Sequence, residues 1–178
     1  VLRQIQRGLA PGVIYLDGGW GPMVAALVAT AQSAGVVRYH TAVKGLTGEG
    51  PHWMISTGAG PVRAGTVVIA AGSPAAAAGL LGEPVPGTDR LGPPVTQACL
   101  ELGLRRSPRH PLILGVGEPL YLSQLAPPAA MAPDGMALLQ VARYHTEDDD
   151  MPADEQHRWL WEAAQQAGVD EDEVVARR

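Results

Sequence analysis

Thr66-Val67-Val68-Ile69-Ala70-Ala71-Gly72 is the stretch on which the fold turns. A continuous β-branched and apolar run of this length reads as a strand buried on both faces, the pattern of a parallel sheet. Gly72 ends it. Ser73-Pro74 then caps and starts a short helix running to Leu81, which Gly82 closes. Upstream, Gly18-Gly19-Trp20-Gly21 leads into a longer helix with Pro22 at its first helical position and Gly35 just past its end. Met23, Ala26, Leu27, Thr30, Ala31 and Ala34 recur on one face of that helix, a stripe of small side chains suited to close packing on a sheet. Val36–Val43 follows as a strand. Lys44 to Leu46 prolongs it, Gly48-Glu49-Gly50-Pro51 turns the chain, and Trp53–Thr57 returns. The expectation is a helix-on-sheet unit in which Val36–Val43 and Val67–Ala71 are neighbouring parallel strands and the hairpin is an antiparallel excursion. On that reading Val68→Asp would cost several kcal/mol.

Glu83 to Pro94 is a Pro/Gly-rich connector. Beyond it, Val95 to Leu104 alternates, with Ala98, Leu100, Leu102 and Leu104 on one face and Gln97, Cys99 and Glu101 on the other. Leu112–Leu114 and Leu120–Leu122 read as one strand bent at Gly117-Glu118-Pro119, and Met136 to Tyr144 alternates again. Three such segments predict an antiparallel sheet. Asp154 and Glu155 open a helix whose apolar stripe is Leu160, Ala163, Ala164 and Ala167, stopped by Gly168; Val174-Val175 begins one more strand. The expected fold class is therefore mixed α/β (α+β). Residues 1–82 form one unit, 83–94 the connector, and 95–178 an antiparallel sheet with a covering helix.

The chain has 178 residues, 46% hydrophobic and 17% charged, which argues against extended disorder. Its 22 Gly and 16 Pro follow no Gly-X-Y period and mark turns. Eleven acidic residues against three arginines lie from Glu147 onward. No basic stripe interleaved with aromatics exists in either half, so nucleic acid is not an expected partner. Glu147-Asp148-Asp149-Asp150 lacks the spaced ligands and turn glycine of a calcium loop and reads as a solvated acidic loop. The single Cys99 excludes an internal disulfide, and no apolar run is long enough to cross a bilayer. With no signal-peptide pattern at the N-terminus, a cytoplasmic location is expected. The lack of an initiator Met and the ending at Arg177-Arg178 suggest a segment of a longer protein.

No self-contained catalytic signature is present: no phosphate-binding P-loop, no His-Glu-x-x-His, no Gly-x-Ser-x-Gly, no paired Cys. His40, His52, His110, His145 and His157 stand far apart, and no metal site is expected from their spacing. Cys99, between Ala98 and Leu100 on an alternating strand, reads as a quiet, partly buried thiol. Gly58-Ala59-Gly60-Pro61-Val62-Arg63-Ala64-Gly65 begins like a dinucleotide fingerprint. Its third Gly is two places late and a strand follows, whereas a bound pyrophosphate needs a helix N-terminus there. It is a turn of the meander.

The order helix, strand, meander, buried strand resembles the middle of an FAD-dependent oxidoreductase of the phytoene desaturase, protoporphyrinogen oxidase and flavin amine oxidase superfamily. The resemblance rests on Tyr15-Leu16-Asp17-Gly18-Gly19-Trp20, the helix after it, Gly35-Val36-Val37, Thr41-Ala42-Val43 and Val67-Val68-Ile69-Ala70-Ala71-Gly72. It is strongest over residues 13–82 and follows element order alone over 95–176. It implies a partial Rossmann-like FAD-binding unit joined to part of a substrate domain. It places Ala42 and Val43 beside the FAD adenine through their backbone, and Ala71 and Gly72 near the ADP part. Gly18-Gly19 would lie where the substrate-domain chain returns to the FAD domain, although the family usually has Pro where Leu16 stands. The family's Gly-x-Gly-x-x-Gly start and its late Gly-Asp segment do not occur here, as expected for a middle segment. The resemblance assigns no catalytic residue. It implies a small apolar or amine substrate, inactivity of the isolated chain, and self-association through surface left uncovered. The alternative is a stand-alone, cofactor-free α/β binding or interaction module.

Overall fold

The structure, a computed structural model, describes residues 14–146 and 149–178, so Glu147 and Asp148 of the acidic run lie outside the described residues. The fold is mixed α/β with two antiparallel sheets. Its contacts define two compact units. One is Thr30–Pro93; the other joins the described residues up to Ala29 with Pro94–Arg178.

In the larger unit, β4 (Gln97–Leu104), β5 (Leu112–Leu114), β6 (Leu120–Ala126), β7 (Ala137–Tyr144) and β8 (Val174–Arg177) form one sheet in the order β5-β6-β7-β4-β8. Every neighbouring pair is antiparallel. Leu112–Leu114 and Leu120–Leu122 are thus two strands of a hairpin and not one bent strand. The cause sits at Gly115, where a Cβ would lie 2.3 Å from the Glu118 carbonyl oxygen, so only glycine permits the tight reversal. The alternation along β4 and β7 turns Leu100, Leu102, Leu104, Leu139 and Val141 to one face. There α3 (Ala153–Gln166) lays down Leu160, Ala163 and Ala164, followed by Ala167 and Val169. Leu102, Leu104, Leu122, Leu139 and Val141 are fully buried.

The start of α3 is fixed by polar contacts. Arg143 on β7 donates to the Asp149 carboxylate at 2.5 Å, in a pair with side chains 11% and 5% exposed. Its guanidinium also lies 5.8 Å from the Trp159 ring centroid. Asp149 accepts from the Met151 N–H as well. The Arg143 hydrogen bond above all holds the Asp149 carboxyl below the usual carboxylate range. His145 bridges Thr96 and Gln156 through its two ring nitrogens. At the far end Gly168, with φ +91, ends the helix, and a Cβ there would meet the Arg109 Cβ at 2.8 Å.

In the smaller unit, β1 (Val43–Glu49), β2 (His52–Thr57) and β3 (Val62–Ala64) make the expected meander, with Gly58–Gly60 as a turn. α2 (Pro74–Leu81) begins where Ser73 accepts from the Ala76 N–H at 3.1 Å and ends at Gly82, φ 75. The parallel pair, however, does not form. Residues 36–42 and 66–71 carry no strand, and β1 starts only at Val43. Val36 and Val68 are 86% and 87% exposed. An extended run becomes a strand only where a neighbour completes its ladder, and neither segment pairs with β1 or β3, the two edge strands of the sheet β1-β2-β3. The helix α1 (Trp20–Ala34), whose residues up to Ala29 belong to the larger unit, forms on its local signals yet buries none of its residues, Leu27 staying 60% exposed.

Two outcomes follow for stability. Val68→Asp should change it by less than about 0.5 kcal/mol, as at an ordinary surface site, whereas Leu102→Ala should cost about 2–5 kcal/mol; urea unfolding of both variants measures the contrast. Because the folded-state pKa of Asp149 is depressed, its contribution is complete above the unfolded carboxylate value near ~4 and is lost as pH falls through the folded value. Urea midpoints between pH 7 and 2 should drop on that acid limb in the native chain, and less steeply in Arg143→Met.

Candidate functional site

The smaller unit holds an apolar concavity of about 480 Å³. The hairpin supplies its floor: Leu46, only 6% exposed, stands opposite Ile55 in the β1–β2 register. The capped helix α2 contributes Leu80, and Ala42 and Val43 close one side. The remaining wall is Val67–Ala71. Although outside any sheet, this segment keeps a period of two: Val67 and Ile69 are half-buried while Thr66, Val68 and Ala70 are exposed. Gly72, with φ +82, then turns the chain into Ser73 and the first turn of α2.

Of the four residues that the family resemblance places around a cofactor, Ala42, Val43 and Ala71 line one cavity, and Gly72 follows Ala71 in the chain. Sequence reasoning missed Leu46, Ile55 and Leu80. The signal for the first two was the alternation of the hairpin, which sets Leu46 and Ile55 on its inner face. No lining residue is ionisable. The cavity can hold a flat apolar group by dispersion and exclusion of water, and it carries no acid, base or nucleophile.

A flavin cofactor would meet a partial fit here. The uncharged wall and the small Ala42 and Ala71 admit a planar ring. Phosphates would need several free N–H groups at a helix start. At the start of α2, Pro74 has none, the Ala76 N–H is bonded to the Ser73 hydroxyl, and the Ala77 N–H to the Ser73 carbonyl. The residues present fit the ring end of such a cofactor and not its pyrophosphate.

The other reactive side chains are placed apart. Among the described residues no three His, Cys, Asp or Glu side chains come together in a metal-binding group. Cys99 lies on the solvent-facing side of β4, more exposed than its alternation suggested. Partial desolvation, then the charge of Glu101, pushes its thiol up, which keeps it protonated at neutral pH. His52 and Arg63 border a separate concavity of about 410 Å³ on the meander. Among the described residues no helix is long and apolar enough to cross a membrane.

No protein-family model matches the chain. No curated protein matches it either.

Filling the cavity gives a direct check. Ala71→Trp should lower the fluorescence enhancement of 1-anilinonaphthalene-8-sulfonate by half or more. Val116→Trp, at a position 93% exposed in the other unit, should leave it near the native level; a dye titration compares the two.

Proposed function

We propose that this chain is part of a flavin-dependent oxidoreductase of the phytoene desaturase, protoporphyrinogen oxidase and amine oxidase type, acting on an apolar or amine substrate. The observation that carries the reading is the convergence of Ala42, Val43 and Ala71, three of the four residues named from the family resemblance, on one uncharged cavity. The five-stranded sheet backed by α3 on one face supports it too, as a floor on which substrate would lie. When bound, the flavin would supply the redox chemistry, taking a hydride or electrons from substrate and passing them on. The residues described here would receive its adenine end and exclude water from it. In this reading the Gly-rich start that grips the pyrophosphate, and the strand that completes the sheet beside residues 66–71, come from polypeptide outside these 178 residues. The isolated chain is then inactive, self-associates through its uncovered apolar surface, and works in the cytoplasm.

FAD titrated against the isolated chain, followed by flavin fluorescence, should show binding no tighter than roughly millimolar, about 4 kcal/mol. Micromolar binding would mean that the cofactor site is complete without a Gly-rich start. The coding sequence before Val1 tests the family assignment itself: a strand and helix carrying Gly-x-Gly-x-x-Gly there supports it, and a start codon immediately before Val1 overturns it in favour of a cofactor-free module.

A further inference from the structure

The meander has a second face, turned away from the apolar cavity, and this face carries a recess of its own. In the β2–β3 register Met54 stands opposite Arg63, so the two side chains leave the sheet on one side. His52, two positions before Met54, leaves it on that side as well, whereas Leu46 and Ile55 point to the other. One step past the Trp53–Ala64 pair, the place across from His52 falls to Gly65, which has no side chain to fill it. The result is the concavity of about 410 Å³ that Pro51, His52, Met54, Arg63 and Gly65 share. A Cβ added at Gly65 would meet its nearest atom, the Pro51 carbonyl oxygen, at 3.9 Å, an ordinary contact. The glycine therefore leaves open space that a larger side chain could occupy.

Arg63 brings the one full positive charge among the residues lining this recess. Among the described residues its guanidinium has no ion pair. A guanidinium presents a planar fork of N–H donors that matches the two oxygens of a carboxylate. His52 adds a ring N–H on the same side of the sheet. Half-buried Met54 and Pro51 supply apolar surface, and a thioether packs well against an aromatic ring. One acid counts against an anion: Glu49 stands opposite His52 in the β1–β2 register, although it does not line the recess. With a single arginine and that carboxylate close by, the recess balances one negative charge and not two. From this arrangement we infer that the recess binds an aromatic monocarboxylate. Its carboxylate sits on Arg63 and His52, and its ring lies along Met54 and Pro51 in the space that Gly65 leaves. The site lies wholly within the smaller unit and does not rest on the flavin reading.

The probe is 2-naphthoate, with 2-naphthamide as its uncharged counterpart and 2-naphthyl phosphate as a dianion. Titrated against the full chain by calorimetry, naphthoate should saturate and bind about fivefold more tightly than the amide, the worth of one partly exposed charge pair. Added salt should erode that difference and leave the amide unchanged. Arg63→Met keeps most of the stem and removes the charge, so it should bring naphthoate down to the level of the amide. Glu49→Gln should strengthen naphthoate about twofold. Gly65→Leu fills the recess and should weaken both probes, whereas Ala71→Trp, on the other face, and Arg90→Met, at another surface arginine, should change neither. Equal binding of naphthoate and naphthamide to the native chain would overturn the inference. So would indifference to Arg63→Met or to Gly65→Leu, tighter binding of the phosphate, or no saturable binding at all. Failure of FAD to bind leaves every one of these outcomes unaffected.

Discussion

The contact between the alanine stripe of α3 and the leucine face of the sheet is the constraint on which the larger unit depends. Ala163, Ala164 and Ala167 are at most 5% exposed, and their small side chains bring the helix close to Leu102, Leu139 and Val141. Close approach excludes water from a continuous apolar layer, and each leucine sealed there contributes about 1.5–3 kcal/mol. The bulkier side chains are displaced to the flanks. Trp159 and Trp161 border the core and receive Arg143 and Arg177 over their rings. Beyond the helix the chain returns through Glu173, which pairs with Arg106, and adds β8 beside β4. The position of the last strand therefore follows from the helix, and the helix from its small residues.

The smaller unit shows what happens when the same kinds of signal lack a layer to close against. A domain of ~60 residues buries only about 60% of the surface its unfolded chain exposes. Here Leu46 is the buried member of a short hairpin, and Ile55, Val67, Ile69 and Leu80 stop half-buried. The run at residues 66–71 retains the alternation of a strand without a partner. It also lacks the charges and prolines by which exposed edges are normally protected, for no charged residue occurs between Arg63 and Glu83.

The apolar cavity of the smaller unit is formed by backbone turns and aliphatic side chains, so it selects shape alone. Its lining holds no nucleophile and no tuned base, and any redox or group-transfer chemistry there would have to be carried by a bound cofactor.

How far each feature could be read depends on the range of the interaction that makes it. The caps of α2 at Ser73 and Gly82, the hairpin around Gly48 to Pro51, and the leucine alternation of β4 follow from residues a few positions apart, and the sequence by itself determined them. The stripe of α3 was legible for the same reason, since a period near 3.6 states which face must be covered. A continuous apolar run such as Thr66–Ala71 states only that both faces avoid water. Whether it becomes a strand depends on ladder partners far along the chain, and the tertiary structure left it unpaired. The meeting of Tyr15 with Ser123, 108 residues away, and of Ala42 with Ala71 is likewise a product of packing, because side chains that distant share a site only when the elements between them choose their neighbours.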